Sequence, residues 1–169
     1  VKPILYVDGY NVIGAWPEAK RESWPLDESR DRLTHLLEDY AGYSGQEVML
    51  VFDGHHGERL TPSIETRAGM TVVFTAHGQT ADQYIEYACG RLPVYREVRV
   101  ATSDHLEQTM ILGRGATRLS SRELLNELTR TRSAGRQRHM SSAAEMRTTF
   151  RNALSDEQRE TLEEWRRRK

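Results

Sequence analysis

Four aspartates, Asp8, Asp53, Asp82 and Asp104, stand where a carboxylate is either costly or useful. Asp8 follows the apolar run ILYV and precedes Gly9, a setting in which an unpaired carboxylate is expensive to bury. No Lys or Arg is adjacent in sequence to any of the four. Gathered in one place, they repel one another, so at least one must be held above its ordinary pKa unless a metal ion or a distant basic residue compensates. An all-oxygen donor set, to which Asn11 can add a neutral oxygen, favours Mg²⁺ or Mn²⁺ over zinc, as one ion or two. Phosphodiester chemistry suits such a centre, because a hard cation activates water and steadies a leaving oxygen.

Each acid also has a plainer reading. Asp82 and Asp104 suit the positive end of a helix macrodipole, Asp104 can cap a helix with Glu107 three residues on, and Asp53 before Gly54 makes an ordinary turn. Asp8 is the hardest to explain in this way. Other chemistries find little support. His55 and His56 are adjacent and define no metal geometry, so they read as an exposed loop, and there is no P-loop, G-x-G-x-x-G or H-E-x-x-H. Gly113-Arg114-Gly115 is too short for a phosphate cradle and reads as a turn. Trp16, before Pro17, serves either packing or base stacking. Cys89 is the single cysteine, which excludes an intrachain disulfide and argues against a thiolate-rich zinc site; a reducing compartment is expected.

The elements that must position these acids follow from the hydrophobic pattern. Five β-branched or apolar runs read as strands: PILYVD at 3–8, EVMLVFD at 47–53, MTVVFT at 70–75, EVRVAT at 97–102 and ATRL at 116–119. Their nearly continuous apolarity fits a parallel sheet covered on both faces. Between them, Leu33, Leu37 and Tyr40 form a helical stripe ending near Gly45, and Ile85, Cys89 and Leu92 form another, which gives Cys89 a packing role. Thr80 with Gln83, Ser120 with Glu123 and Ser155 with Gln158 have capping-box spacing. The expected fold is a three-layer α/β domain with a central five-stranded parallel sheet over residues 1–130. Residues 131–142, TRSAGRQRHMSS, lack periodicity and read as a loop or basic linker. Two polar helices, roughly 142–153 and 156–168, complete a basic C-terminal extension over 131–169. In an open parallel sheet, ligands bind beyond the carboxyl ends of the strands, where the strand order reverses, and all four aspartates fall on that rim.

A hydrophobic fraction of 37% and a charged fraction of 29% suit a chain that folds in water. No run is long and apolar enough for a membrane span, and the opening VKPILYVDGYN lacks a signal-peptide layout, so a cytoplasmic location without membrane association is expected. The net charge of −1 conceals an asymmetry. Residues 1–113 hold 10 Lys or Arg against 17 Asp or Glu, net −7, and residues 114–169 hold 14 against 8, net +6. A basic region beside an acidic one points to an anionic partner near a cation site, although a solvated surface accounts for the same composition.

The strings VDGYNVIGAWP (7–17), VFDG (51–54), TADQYIE (80–86), VATSDHLEQ (100–108) and LSSRELLNEL (119–128), with the closing LEEWRRRK, resemble the YacP-like branch of the NYN-domain nucleases. The likeness runs in order through nearly the whole chain. It implies a PIN-like α/β fold and metal-dependent endoribonuclease activity, with Asp8, Asn11, Asp82 and Asp104 lining the metal site and Asp53 near it. It also implies action in messenger-RNA turnover, for some relatives on the ribosome. HHG at 55–57 and AHG at 76–78, which contains His77, match none of these motifs and flank the proposed site.

The resulting expectation is a ribonuclease in which Asp8, Asp82 and Asp104 bind Mg²⁺ or Mn²⁺ while Asn11 and Asp53 orient ligands or waters. Hydrolysis in line would leave a 5′-phosphate and a 3′-hydroxyl. Arg118, Arg122, Arg130, Arg132, Arg136 and Arg138 are the candidates for gripping RNA. One rival is an RNA- or ribosome-binding adaptor that keeps the fold without turnover. Another is a phosphohydrolase using Asp8 as covalent nucleophile, but such enzymes commonly place a second acid two residues later, where this chain has Tyr10.

Overall fold

The computed structural model describes residues 1–54, 58–102 and 115–153. Asp104, His55, His56, Arg114 and the expected helix at 156–168 with its Ser155–Gln158 cap lie outside the described residues. Two compact units are present, Val1–Arg132 and Ser133–Lys169.

The first unit is built on a sheet of β1 (Ile4–Asp8), β2 (Glu47–Phe52), β3 (Ser63–Arg67), β4 (Met70–Phe74), β5 (Val98–Ala101) and β6 (Thr117–Leu119), in the order β3-β4-β2-β1-β5-β6. All five expected strands pair in parallel. The expected count of five needs correction, because β3 adds a sixth, antiparallel strand beside β4. Its sequence, SIETR, carries no apolar alternation. An edge strand held by one ladder buries neither face, and Ile64 is 60% exposed.

Alternation along the parallel strands fills two apolar layers. Leu5, Val7, Leu50 and Phe52 face α1 (Gly9–Gly14), α3 (Leu26–Ser44) and the start of α5 (Ser121–Ala153), meeting Val12, Leu33, Leu37, Leu124 and Leu128. Ile4, Tyr6, Val51 and Val73 face α4 (Ala81–Gly90), meeting Ile85 and Cys89. The expected stripe of Leu33, Leu37 and Tyr40 is therefore buried, as are Ile85 and the packing residue Cys89, whereas Leu92 lies past the end of α4 and is half-buried. Two short helices, α1 and α2 (Pro17–Arg21), follow β1 directly.

Arg99 on β5 fastens α5 and α3 together. Its Nη2 donates to Glu127 Oε1 at 2.7 Å, and the Tyr40 hydroxyl donates to Glu127 Oε2 at 3.0 Å.

The reading of 131–142 as a loop also needs correction, since these residues are helical within α5. Periodicity reports burial rather than helicity. Ala, Arg, Gln and Met favour helix, and a helical stretch that is polar on all sides leaves no stripe to detect. In the second unit, residues 133–153 are helical. Among the described residues no helix is long and apolar enough to cross a membrane.

Candidate functional site

The chain reverses its lateral direction at β1. The link from β1 leads to β2 on one side, whereas β5 returns to pair on the other. The crevice between the carboxyl ends of β1 and β5 is thus the switch point at which open sheets bind ligands. Asp8 ends β1 and Thr102 directly follows β5.

Asp8 is also the N-cap of α1, its Oδ1 accepting from the Asn11 backbone N–H at 3.2 Å. This places Asn11 in the first turn of a helix. The abrupt turn relies on Gly9, because a Cβ there would fall 2.3 Å from the Phe52 ring. Asn11 is fixed from the far end of the domain, its Oδ1 accepting from the Ser121 hydroxyl at 2.6 Å. Ser121 is 7% exposed and belongs to the first turn of α5, which is capped by Ser120 and Glu123.

Asp82 lies in the first turn of α4, where Thr80 and Gln83 complete the expected capping box. The Thr102 hydroxyl, only 2% exposed, donates to Asp82 Oδ1 at 3.2 Å. Asp53 follows β2. Its neighbour Gly54 donates through its N–H to Thr75 Oγ1 at 2.8 Å, and the Thr75 hydroxyl donates to the Gln79 carbonyl at 2.6 Å. The approach tolerates no side chain, since a Cβ at Gly54 would meet the Thr75 carbonyl oxygen at 2.1 Å.

The acids act on one another. Burial, with the nearby carboxylates of Asp82 and Asp53, outweighs the Asn11 N–H and pushes the Asp8 carboxyl up to about 6. Among the described residues, no Lys or Arg forms an ion pair with Asp8 or Asp82. Nor do the described acids by themselves form a complete cluster of three metal-holding side chains. Asp104 lies two residues beyond Thr102, outside the described residues. The donor set that is present, carboxylates short of positive charge, fits a hard divalent cation rather than zinc, while the Asn11 amide oxygen is engaged by Ser121.

Of the six arginines, Arg118 and Arg122 line a groove of about 540 Å³ together with Asn11, Thr102 and Ser121. Arg130 is exposed on α5, and Arg132 lines a different cavity with Trp16 and Trp24. Arg136 and Arg138 are exposed in the second unit. Trp16 is a packing residue, 6% exposed and edge-on to Trp24 at 5.3 Å. Thr75, Thr102 and Ser121, which hold the site in place, are absent from the sequence-based set. Their hydroxyls stand at strand ends and a helix start, where the sequence signals only a turn or a cap.

The pattern of the YacP-like NYN domain family matches residues 5–167. The Bacillus subtilis protein YacP, described as uncharacterized, is 39% identical over 166 residues, which cover 97% of this chain and 96% of YacP. The crystal structure of Rae1 (YacP) from Bacillus subtilis is similar with a TM-score of 0.69 and 39% identity, covering 97% of this chain and 94% of that one. A mutant of the same protein gives a TM-score of 0.69 and 37% identity over 85% of each chain.

Proposed function

Because the chain belongs to the YacP-like NYN domain family, with its nuclease-type, PIN-like fold, we propose that it is a metal-dependent endoribonuclease. The observation that carries this reading is the meeting of the Asp8 and Asp82 carboxylates at the switch point, within electrostatic reach of Asp53, with no ion pair on Asp8 or Asp82 among the described residues. Asp8, Asp82 and Asp104 would hold Mg²⁺ or Mn²⁺, as one ion or two. Bound there, the cation supplies a water of lowered pKa and charge stabilisation for the phosphoryl oxygens.

The remaining work falls to the chain. Ser121 holds the Asn11 amide so that its nitrogen is turned toward a ligand or water, and Thr102 fixes the rotamer of Asp82. Asp53 orients water at the third side. Arg118 and Arg122, lining the adjacent groove, grip the RNA backbone, with Arg130, Arg132, Arg136 and Arg138 as further contacts. The substrate is mRNA, free or on the ribosome, cut to a 5′-phosphate and a 3′-hydroxyl; the basic C-terminal part and the motif likeness support this choice.

The test is cleavage of labelled RNA, naked and on translating ribosomes, in Mn²⁺ and in chelator. Cleavage should require the cation and disappear in Asp8→Asn and Asp82→Asn with the circular dichroism spectrum unchanged. Full activity in both variants would sink the assignment, and RNA binding without any turnover would favour an adaptor.

A further inference from the structure

Arg30, in the first half of α3, is half-buried, and among the described residues it pairs with no carboxylate. Its Nη1 donates to the Tyr10 hydroxyl at 3.1 Å, and its guanidinium carbon lies 5.9 Å from the centre of the Phe74 ring. A guanidinium beside an aromatic ring, with one of its five donors engaged in a hydrogen bond among the described residues, is ready to receive an anion. The rings lead back to the acid centre. Tyr10, two residues past Asp8, tilts against Phe52 at 5.1 Å, and Phe52 stacks on Phe74 at 5.2 Å.

Phe74 also lines a cavity of about 330 Å³ with Gly54, Glu58, Arg59, Ser63 and Thr75. Gly54 follows Asp53, so this cavity adjoins the Asp53 end of the centre, whereas the groove of Arg118 and Arg122 adjoins the Asn11 end. An aromatic wall beside a cation with spare donors is what proteins use to hold one nucleotide of a single strand, with the base against the ring and the phosphate on the cation.

We propose that Phe74 and Arg30 form a nucleotide subsite at the Asp53 end of the acid centre, which takes an unpaired base with its phosphate and so selects single-stranded RNA. This rests on the RNA-cleaving reading above. A base within a duplex has its faces covered by its neighbours and cannot lie against Phe74.

Binding tests the subsite without relying on cleavage. The full chain and its Phe74→Leu and Arg30→Gln variants are titrated, in chelator, against a short fluorescent RNA that is either single-stranded or annealed to its complement. The wild type should prefer the single strand, and each variant should lose about tenfold in affinity for it while its duplex binding is unchanged. An abasic nucleotide at one position should reproduce the Phe74→Leu loss and have no further effect in that variant. Phe74→Leu keeps an apolar side chain against Phe52, and Arg30→Gln changes no apolar packing, so the second variant decides the matter if the first fails to fold. Equal wild-type affinity for the two forms, undetectable binding, or a folded Arg30→Gln that binds like the wild type overturns the proposal. Absence of cleavage in Mn²⁺ alongside the expected binding pattern would instead overturn the catalytic reading.

Discussion

Asp8 carries opposing demands in a single side chain: it caps α1, and it lies half-buried near two other carboxylates. Its carboxyl is raised from 3.8 to about 6, so the folded protein binds this proton more tightly than the unfolded chain does. The associated stability is fully present below about pH 3.8 and is lost as pH rises through about 6. Asp8→Asn keeps the cap and removes the charge. In chelator at pH 7.5 the variant should therefore be more stable than the wild type, by on the order of 2 kcal/mol, and the difference should vanish by about pH 4 in urea unfolding. Added Mg²⁺ should raise the Tm of the wild type and leave Asp8→Asn where it was; a wild-type Tm indifferent to Mg²⁺ and Mn²⁺ would count against a cation site. Thr102→Val preserves shape but removes the hydroxyl from Asp82, so kcat should fall about tenfold with little change in Tm. Unchanged kcat would mean that Asp82 is held by other groups.

At the level of elements, the acid centre depends on a close fit between β1, α1 and β2. Gly9→Ala drives a methyl group into the Phe52 ring, which is itself packed between Tyr10 and Phe74. A loss of about 1–3 kcal/mol in denaturant unfolding is expected, together with reduced cleavage as Asp8 shifts; wild-type stability would show that the rings yield freely. The same elements mark what a sequence can disclose. Strands such as ILYVD and EVMLVF announce themselves because both faces are buried, and Asp8 and Asp82 are placed by their position at a strand end and in a capped helix turn. The strand SIETR stays hidden because backbone pairing and an ion pair from Arg67 to Glu38, rather than an apolar face, hold it, and the helical stretch at 131–142 because no face of it is apolar. Thr102 and Ser121 stay hidden for a third reason. Their roles arise from hydrogen bonds to residues 20 and 110 positions away, which no local pattern encodes.

Across the whole molecule, on the reading proposed above, the holding of a cation falls to the acidic first part and the meeting of an anion to the basic C-terminal part. RNA affinity should fall steeply as salt is raised, with a logarithmic slope of about 0.7 for each phosphate contacted on a single strand. Replacing Arg118 and Arg122 by Ala should lower that slope by about 1 to 2, and an unchanged slope would remove the groove from the RNA path. The bond from Ser121 to Asn11 has a consequence in time. In a chain emerging residue by residue, β1 precedes the β5 strand it pairs with, and Asn11 lacks its anchor until Ser121 at the start of α5 has been synthesised. On the reading proposed above, cleaving activity would therefore appear only once the first turn of α5 has been made, because that turn anchors the centre that β1 begins.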